Sequence, residues 1–124
     1  MKKVLLLAIV CCFAAVSAKA QVNAHSWIAT VSIPSPSVAF LKFSNDTLEL
    51  ITTEDNQVVE TMTYKLASDT LTLLKVSGGS PCDATKPVYY KTAIKEDQLI
   101  FTNVNDECDP RIGALTGQPW KLKK

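Results

Sequence analysis

Beyond Gln21 the apolar and polar residues alternate with a period of two, and no sustained 3.6-residue apolar stripe marks a core helix. Three segments repeat one grammar: Ser44-Asn45-Asp46-Thr47-Leu48-Glu49-Leu50, Ala67-Ser68-Asp69-Thr70-Leu71-Thr72-Leu73 and Lys95-Glu96-Asp97-Gln98-Leu99-Ile100-Phe101. Each is a polar turn ending in Asp, then a polar residue, Leu, any residue and an apolar one. Asp and Asn bond their own following backbone and tolerate turn conformations, so the three segments predict hairpin tips. The aspartates lie 23 and 28 residues apart, too irregular for a solenoid. Eight strands are predicted, at 26–32, 37–43, 47–53, 57–66, 70–77, 87–95, 98–104 and 118–123. Breaks fall at Pro34-Ser35-Pro36, Glu54-Asp55-Asn56 and Ser77–Pro81, and a short helical turn is expected around Arg111 to Leu115.

A sheet of hairpin-linked strands leaves two unpaired edges unless it closes, so the predicted fold is an all-β, eight-stranded, antiparallel up-and-down barrel. Leu48, Leu50, Leu71, Leu73, Leu99 and Phe101 take matching inward positions after the tips. Leu41, Phe43, Met62, Tyr64, Leu66, Tyr90, Thr92 and Ile94 oppose them, with Trp27, Ala29 and Val31 on the first strand and Leu122 on the last. Glu49, Thr61, Thr63, Lys65, Thr70, Thr72, Lys91 and Lys95 form the solvated outer face. An eight-stranded barrel is either filled by side chains or holds one small ligand. In the second case Trp27, Phe43, Met62, Tyr64, Tyr90 and Phe101 are the expected lining, with hydroxyls from Tyr64, Tyr90 and Thr92, and the partner is a small hydrophobic molecule. In the first case function passes to protein partners through the loops Ile33–Ser37 and Gly78–Pro87.

The N-terminus breaks the alternation. Met1-Lys2-Lys3, the apolar run Val4–Val16 and Ala18-Lys19-Ala20 form the secretory signal pattern, so residues 1–20 are expected to be cleaved before a single domain at 21–124. The apolar run has 13 residues, short of the roughly 20 needed to span a bilayer. Ile9 and Val10 stand where small residues precede an acylated Cys, so lipid anchoring of Cys11 or Cys12 is not expected. The mature chain is thus placed outside the cytoplasm, secreted or periplasmic. Without the leader, 10 basic side chains face 12 acidic ones, and a nucleic-acid footprint is absent. Nothing in the pattern calls for an oligomer, and a monomer is expected.

Two cysteines, Cys82 and Cys108, stay in the mature chain, and in an oxidising compartment they most simply form one disulfide. On the 87–95/98–104 hairpin, residues pair when their numbers sum to about 193, which puts both cysteines at its open end. Enzyme templates fail on inventory. His25 is the single histidine, close to the mature N-terminus, and no nucleophile-elbow, zincin or phosphate-loop motif occurs. Asp106-Glu107-Cys108-Asp109 either offers oxygens to Ca²⁺ or is a loop in which Asp106 serves nearby backbone amides, and the second reading is preferred. No catalytic residue, metal or cofactor is expected.

The C-terminal third carries Tyr90, the Glu96-Asp97 tip, Leu99-Ile100-Phe101, then Asp106-x-Cys108-x-x-Arg111-x-x-x-Leu115 and Pro119-Trp120-Lys121. This pattern resembles small secreted bacterial lipocalin-like (calycin) proteins over residues 82–124. The usual opening Gly-x-Trp is His25-Ser26-Trp27 here, without the glycine. The resemblance implies barrel closure by Arg111 and Trp120, with Arg111 stacked across Trp27 by a cation–π contact. The alternative has Arg111 capping a turn while Trp27 fills the core. Two tips also carry modification patterns: the N-x-T sequon Asn45-Asp46-Thr47, and Asp-Thr-Leu triplets that would make Thr47 and Thr70 O-glycosylation sites.

Overall fold

The computed structural model describes residues 22–33 and 35–124, so the leader expected at 1–20 lies outside the described residues. Among these, the elements run β1 (Trp27–Ser32), β2 (Pro36–Phe43), β3 (Thr47–Thr52), β4 (Val58–Ala67), β5 (Thr70–Gly78), β6 (Val88–Lys95), β7 (Gln98–Asn103), α1 (Asp109–Thr116) and β8 (Trp120–Leu122). The strands hydrogen-bond in chain order and antiparallel, closing into a barrel. Closure rests on β8, which pairs Trp120 with Leu99 of β7 and Leu122 with Trp27 of β1. The all-β eight-stranded barrel expected from the alternation is therefore the fold.

Element bounds depart from expectation mostly by a residue. The larger departures are at the C-terminus, where the helix is longer than 111–115 and the last strand shorter than 118–123. Pro110 favours the first helical turn, where its missing N–H leaves no bond unmade. Beyond Thr116 the Gly117 amide donates to Gly113 O and the Gln118 side chain to Ala114 O, which uses Gln118 as a helix cap.

The aspartate tips are two tight turns and one slightly longer one. Between β6 and β7 only Glu96 and Asp97 turn the chain, at φ of 51° and 61°, the left-handed pair that a type I′ hairpin requires. Ser68 takes φ 58° in the β4–β5 tip. These three tips and the segment Val22–Ser26 gather at one end of the barrel, the closed end. The β1–β2 connection, residues 53–57, residues 79–87 and α1 gather at the other, the open end.

The inward set packs as the alternation requires. Leu41, Leu48, Leu71, Leu73, Leu99 and Tyr90 are fully buried, and Trp27 is 1 % exposed. Ala29, Phe43, Leu66, Ile94 and Leu122 are half-buried against this core. None of the expected outer-face residues is buried. Two register shifts, at Leu50/Ile51 and Thr61/Met62, interrupt the ladders on either side of β4.

Candidate functional site

The barrel is filled at its closed end and hollow at its open end. A cavity of about 600 Å³ opens among α1, the Ile33 turn and the loop after β5. Its apolar wall includes Leu41, Leu50, Met62 and Trp120, with Ile33, Val59, Pro81, Ala114 and Leu115 towards the mouth. Polar groups on the wall come from Ser32, Glu60, Ser80 and Arg111.

Of the six residues expected to line a ligand cavity, only Met62 does so. Trp27 lies at the closed end, donating its Nε1 proton to Val22 O at 2.8 Å. Tyr90 and Phe101 are edge-to-face at 6.3 Å within the packed core. Phe43 and Tyr64, edge-to-face at 5.0 Å, border a polar depression with Asn23, Ser44 and Asn45. The hydroxyls expected to serve a ligand already have protein partners. Tyr64 donates to Ser44 O at 2.7 Å, Thr92 to Asp69 O at 3.0 Å and Tyr90 to Asp106 at 2.6 Å. The physical reason is position along the strand: alternation tells inward from outward, but not how far along the axis an inward residue sits.

Arg111 does not stack on Trp27. Its Nε donates to Asp106 Oδ2 at 2.5 Å and its Nη2 to Oδ1 at 2.9 Å, a bidentate buried pair. The chain direction decides this: β7 ends at the open end, so α1 carries Arg111 there, while β1 starts with Trp27 at the closed end. The ring–cation contact found among the described residues is instead Lys123 over Phe40, at 5.0 Å. Trp120, fully buried, donates its indole N–H to Leu115 O at 3.2 Å and ties β8 to the helix above it.

Asp106 is the hub of the open end. Besides Arg111 and Tyr90 it accepts the Cys108 amide at 3.0 Å, and its own backbone is clasped by Asn103 through two hydrogen bonds. Its carboxylate therefore serves the barrel's own donors. Burial would raise its pKa, but the Arg111 guanidinium, the Tyr90 hydroxyl and the Cys108 amide together hold it below the ordinary value. Tyr90 moves the other way: burial first, then the bond to and the charge of Asp106, push its hydroxyl well above the normal phenol range. Asp106 also holds the Arg111 guanidinium firmly protonated.

The sequence reading missed Glu60 and Lys75. Both share the inward parity of their strands, Glu60 with Met62 and Tyr64, Lys75 with Leu71 and Leu73. Glu60 is 7 % exposed. Its Oε1 accepts the Ser80 hydroxyl at 2.6 Å and lies 3.5 Å from Lys75 Nζ, while Oε2 accepts the Ser80 amide at 3.3 Å. Lys75 also donates to the Ser80 carbonyl. The shift between Thr61 and Met62 sets Glu60 opposite Gly78, whose φ of 137° and missing Cβ leave room for the carboxylate.

The expected disulfide is present: Cys82 and Cys108 are bridged, with Cα atoms 5.5 Å apart. It joins the loop after β5 to the residue that precedes α1, and both cysteines line a smaller cleft of about 340 Å³ that shares Pro81 and Arg111 with the cavity. No family model matches the chain, and no curated protein or solved structure matches it either. The sequential eight-stranded barrel with one C-terminal helix is, as architecture, consistent with a lipocalin-like fold.

Proposed function

We propose that this chain is an exported, lipocalin-like, non-enzymatic protein that binds a small hydrophobic molecule in the open-end cavity. The observation that supports this reading is the cavity itself. At about 600 Å³ it falls in the size range of small-molecule sites, and its wall is apolar with a few polar groups. The Cys82–Cys108 bridge supports export, because structural disulfides persist in oxidising compartments.

Trp120 supplies the test, since it lines the cavity while Trp27 is packed at the far end. Titration with small apolar compounds should change Trp120 emission saturably with one-site stoichiometry, and Trp120→Phe should abolish the signal. A flat titration, confirmed by calorimetry, would reject carriage and leave the open-end loops as the functional surface. Export is checked by the intact mass of the secreted product, which should begin near Gln21.

A further inference from the structure

Resting on that reading, we propose that the cavity selects an amphipath: an apolar chain bearing an oxygen acceptor, carboxylate or ester, that seats on the Arg111 guanidinium. Among the polar groups on the wall, Glu60 and Ser80 hold each other, and Lys75 already faces Glu60. Arg111 differs. It is 8 % exposed, it lines the cavity, and its Nη1 is buried with no acceptor from the protein. Nε and Nη2 form the edge that meets Asp106, so Nη1 belongs to the opposite side of the guanidinium. A buried donor without a partner is costly, and a ligand oxygen that reaches it relieves that cost.

Charge sets the chemistry of the head. Asp106 already balances Arg111, and Lys75 balances Glu60, so the wall asks for an acceptor rather than for a net negative charge. An ammonium head gains nothing at Arg111 and meets a Glu60 that is already paired. The apolar chain then lies against Leu41, Leu50, Met62 and Trp120.

Decanoate, methyl decanoate and decane, each displacing the same fluorescent probe from the full mature protein, separate head from chain. The two oxygen-bearing compounds should bind about tenfold or more tighter than decane, as expected for a hydrogen bond to a charged donor. On binding, the Arg111 Nη–H resonances of the unmodified protein should shift, a readout that needs no variant. Arg111→Lys keeps the charge opposite Asp106 but loses the second edge, so it should abolish the preference for the oxygen-bearing compounds over decane. Equal affinity for all three compounds, or unmoved Arg111 resonances, would overturn the head-group assignment and leave hydrophobic carriage standing. Binding of none would instead reject carriage itself. Preference for decanoate over the ester by more than about tenfold marks the head as anionic, and parity marks it as a neutral acceptor.

Discussion

Asp106 and Tyr90 make the open end sensitive to pH at both extremes. A carboxyl held below its ordinary value of 3.8 adds stability that is complete above that pH and is lost as pH falls through the lower folded-state value. A phenol held above its ordinary 10.0 adds stability that is complete below that pH and is lost as pH rises through the higher folded-state value. Urea midpoints measured across pH should thus fall on the acid side for the native protein, and Asp106→Asn should flatten that limb. Tyr90→Phe should flatten the alkaline limb and, by removing one of the donors that hold Asp106 down, also soften the acid limb. Asp106→Ala leaves the buried guanidinium without its counter-charge and should cost about 3–5 kcal/mol at neutral pH. A loss below about 1 kcal/mol would show that solvent reaches Arg111 and that the pair is not truly buried. Gly78 is the other residue under constraint. In Gly78→Ala the added Cβ overlaps the Glu60 carboxylate and the Val59 carbonyl at a φ that L residues avoid. Chemical denaturation should register a loss of about 1–3 kcal/mol. An unchanged midpoint would mean that β5 relaxes there without cost.

At the scale of elements, the open end is assembled from parts that do little alone. Helix α1 has eight residues, too few to be stable in isolation, and its N-cap residue Cys108 makes no side-chain cap bond. What holds it is the Cys82 bridge before its first turn, the pair that its Arg111 makes with Asp106 ahead of the helix, and the Trp120 indole bonded to Leu115 near its end. At the closed end each tip turns on its own few residues, and its aspartate carbonyl then accepts a hydrogen bond from a neighbouring strand. Removing the bridge, by Cys82→Ala with Cys108→Ala, should cost about 3 kcal/mol from the 26-residue separation it constrains. The melting temperature should drop by about 10 °C or more. Thiol titration of the unreduced protein should find neither Cys82 nor Cys108 reactive. A double variant that melts with the native protein would show that hydrogen bonding alone positions α1.

For the whole molecule, closure and filling are separate outcomes. The ring shuts through only short pairings of β8, two residue pairs with β1 and two with β7. Yet the tryptophans at both ends of β8's reach, Trp27 and Trp120, are almost completely buried. Two large aromatic side chains in the core stabilise the seam more than a few ladder bonds do. The closed end is packed by Trp27, Leu48, Leu71 and Leu99, whereas towards the open end the smaller Ala39 and half-buried Ile33 and Val59 leave space. The hollow of this barrel lies at one mouth, under a helix, rather than along its full axis.

What the sequence determined by itself was local and periodic. The aspartate-ended turns placed the tips, the two-residue alternation separated Leu48, Leu71 and Leu99 from Glu49, Thr72 and Lys91, and the shared register of β6 and β7 brought Cys82 to Cys108. Each of these depends on residues close in the chain or on one hairpin. The tertiary structure decided the depth of each inward residue along the axis, so Trp27, Tyr90 and Phe101 became packing while Trp120 and Leu115 came to line the cavity. It also decided that Arg111 meets Asp106 and not Trp27, because the direction of the seventh strand sends them to opposite ends. Parity in a strand is encoded every second residue, whereas axial position and the meeting of distant ends are summed over the tilt and register of all eight strands.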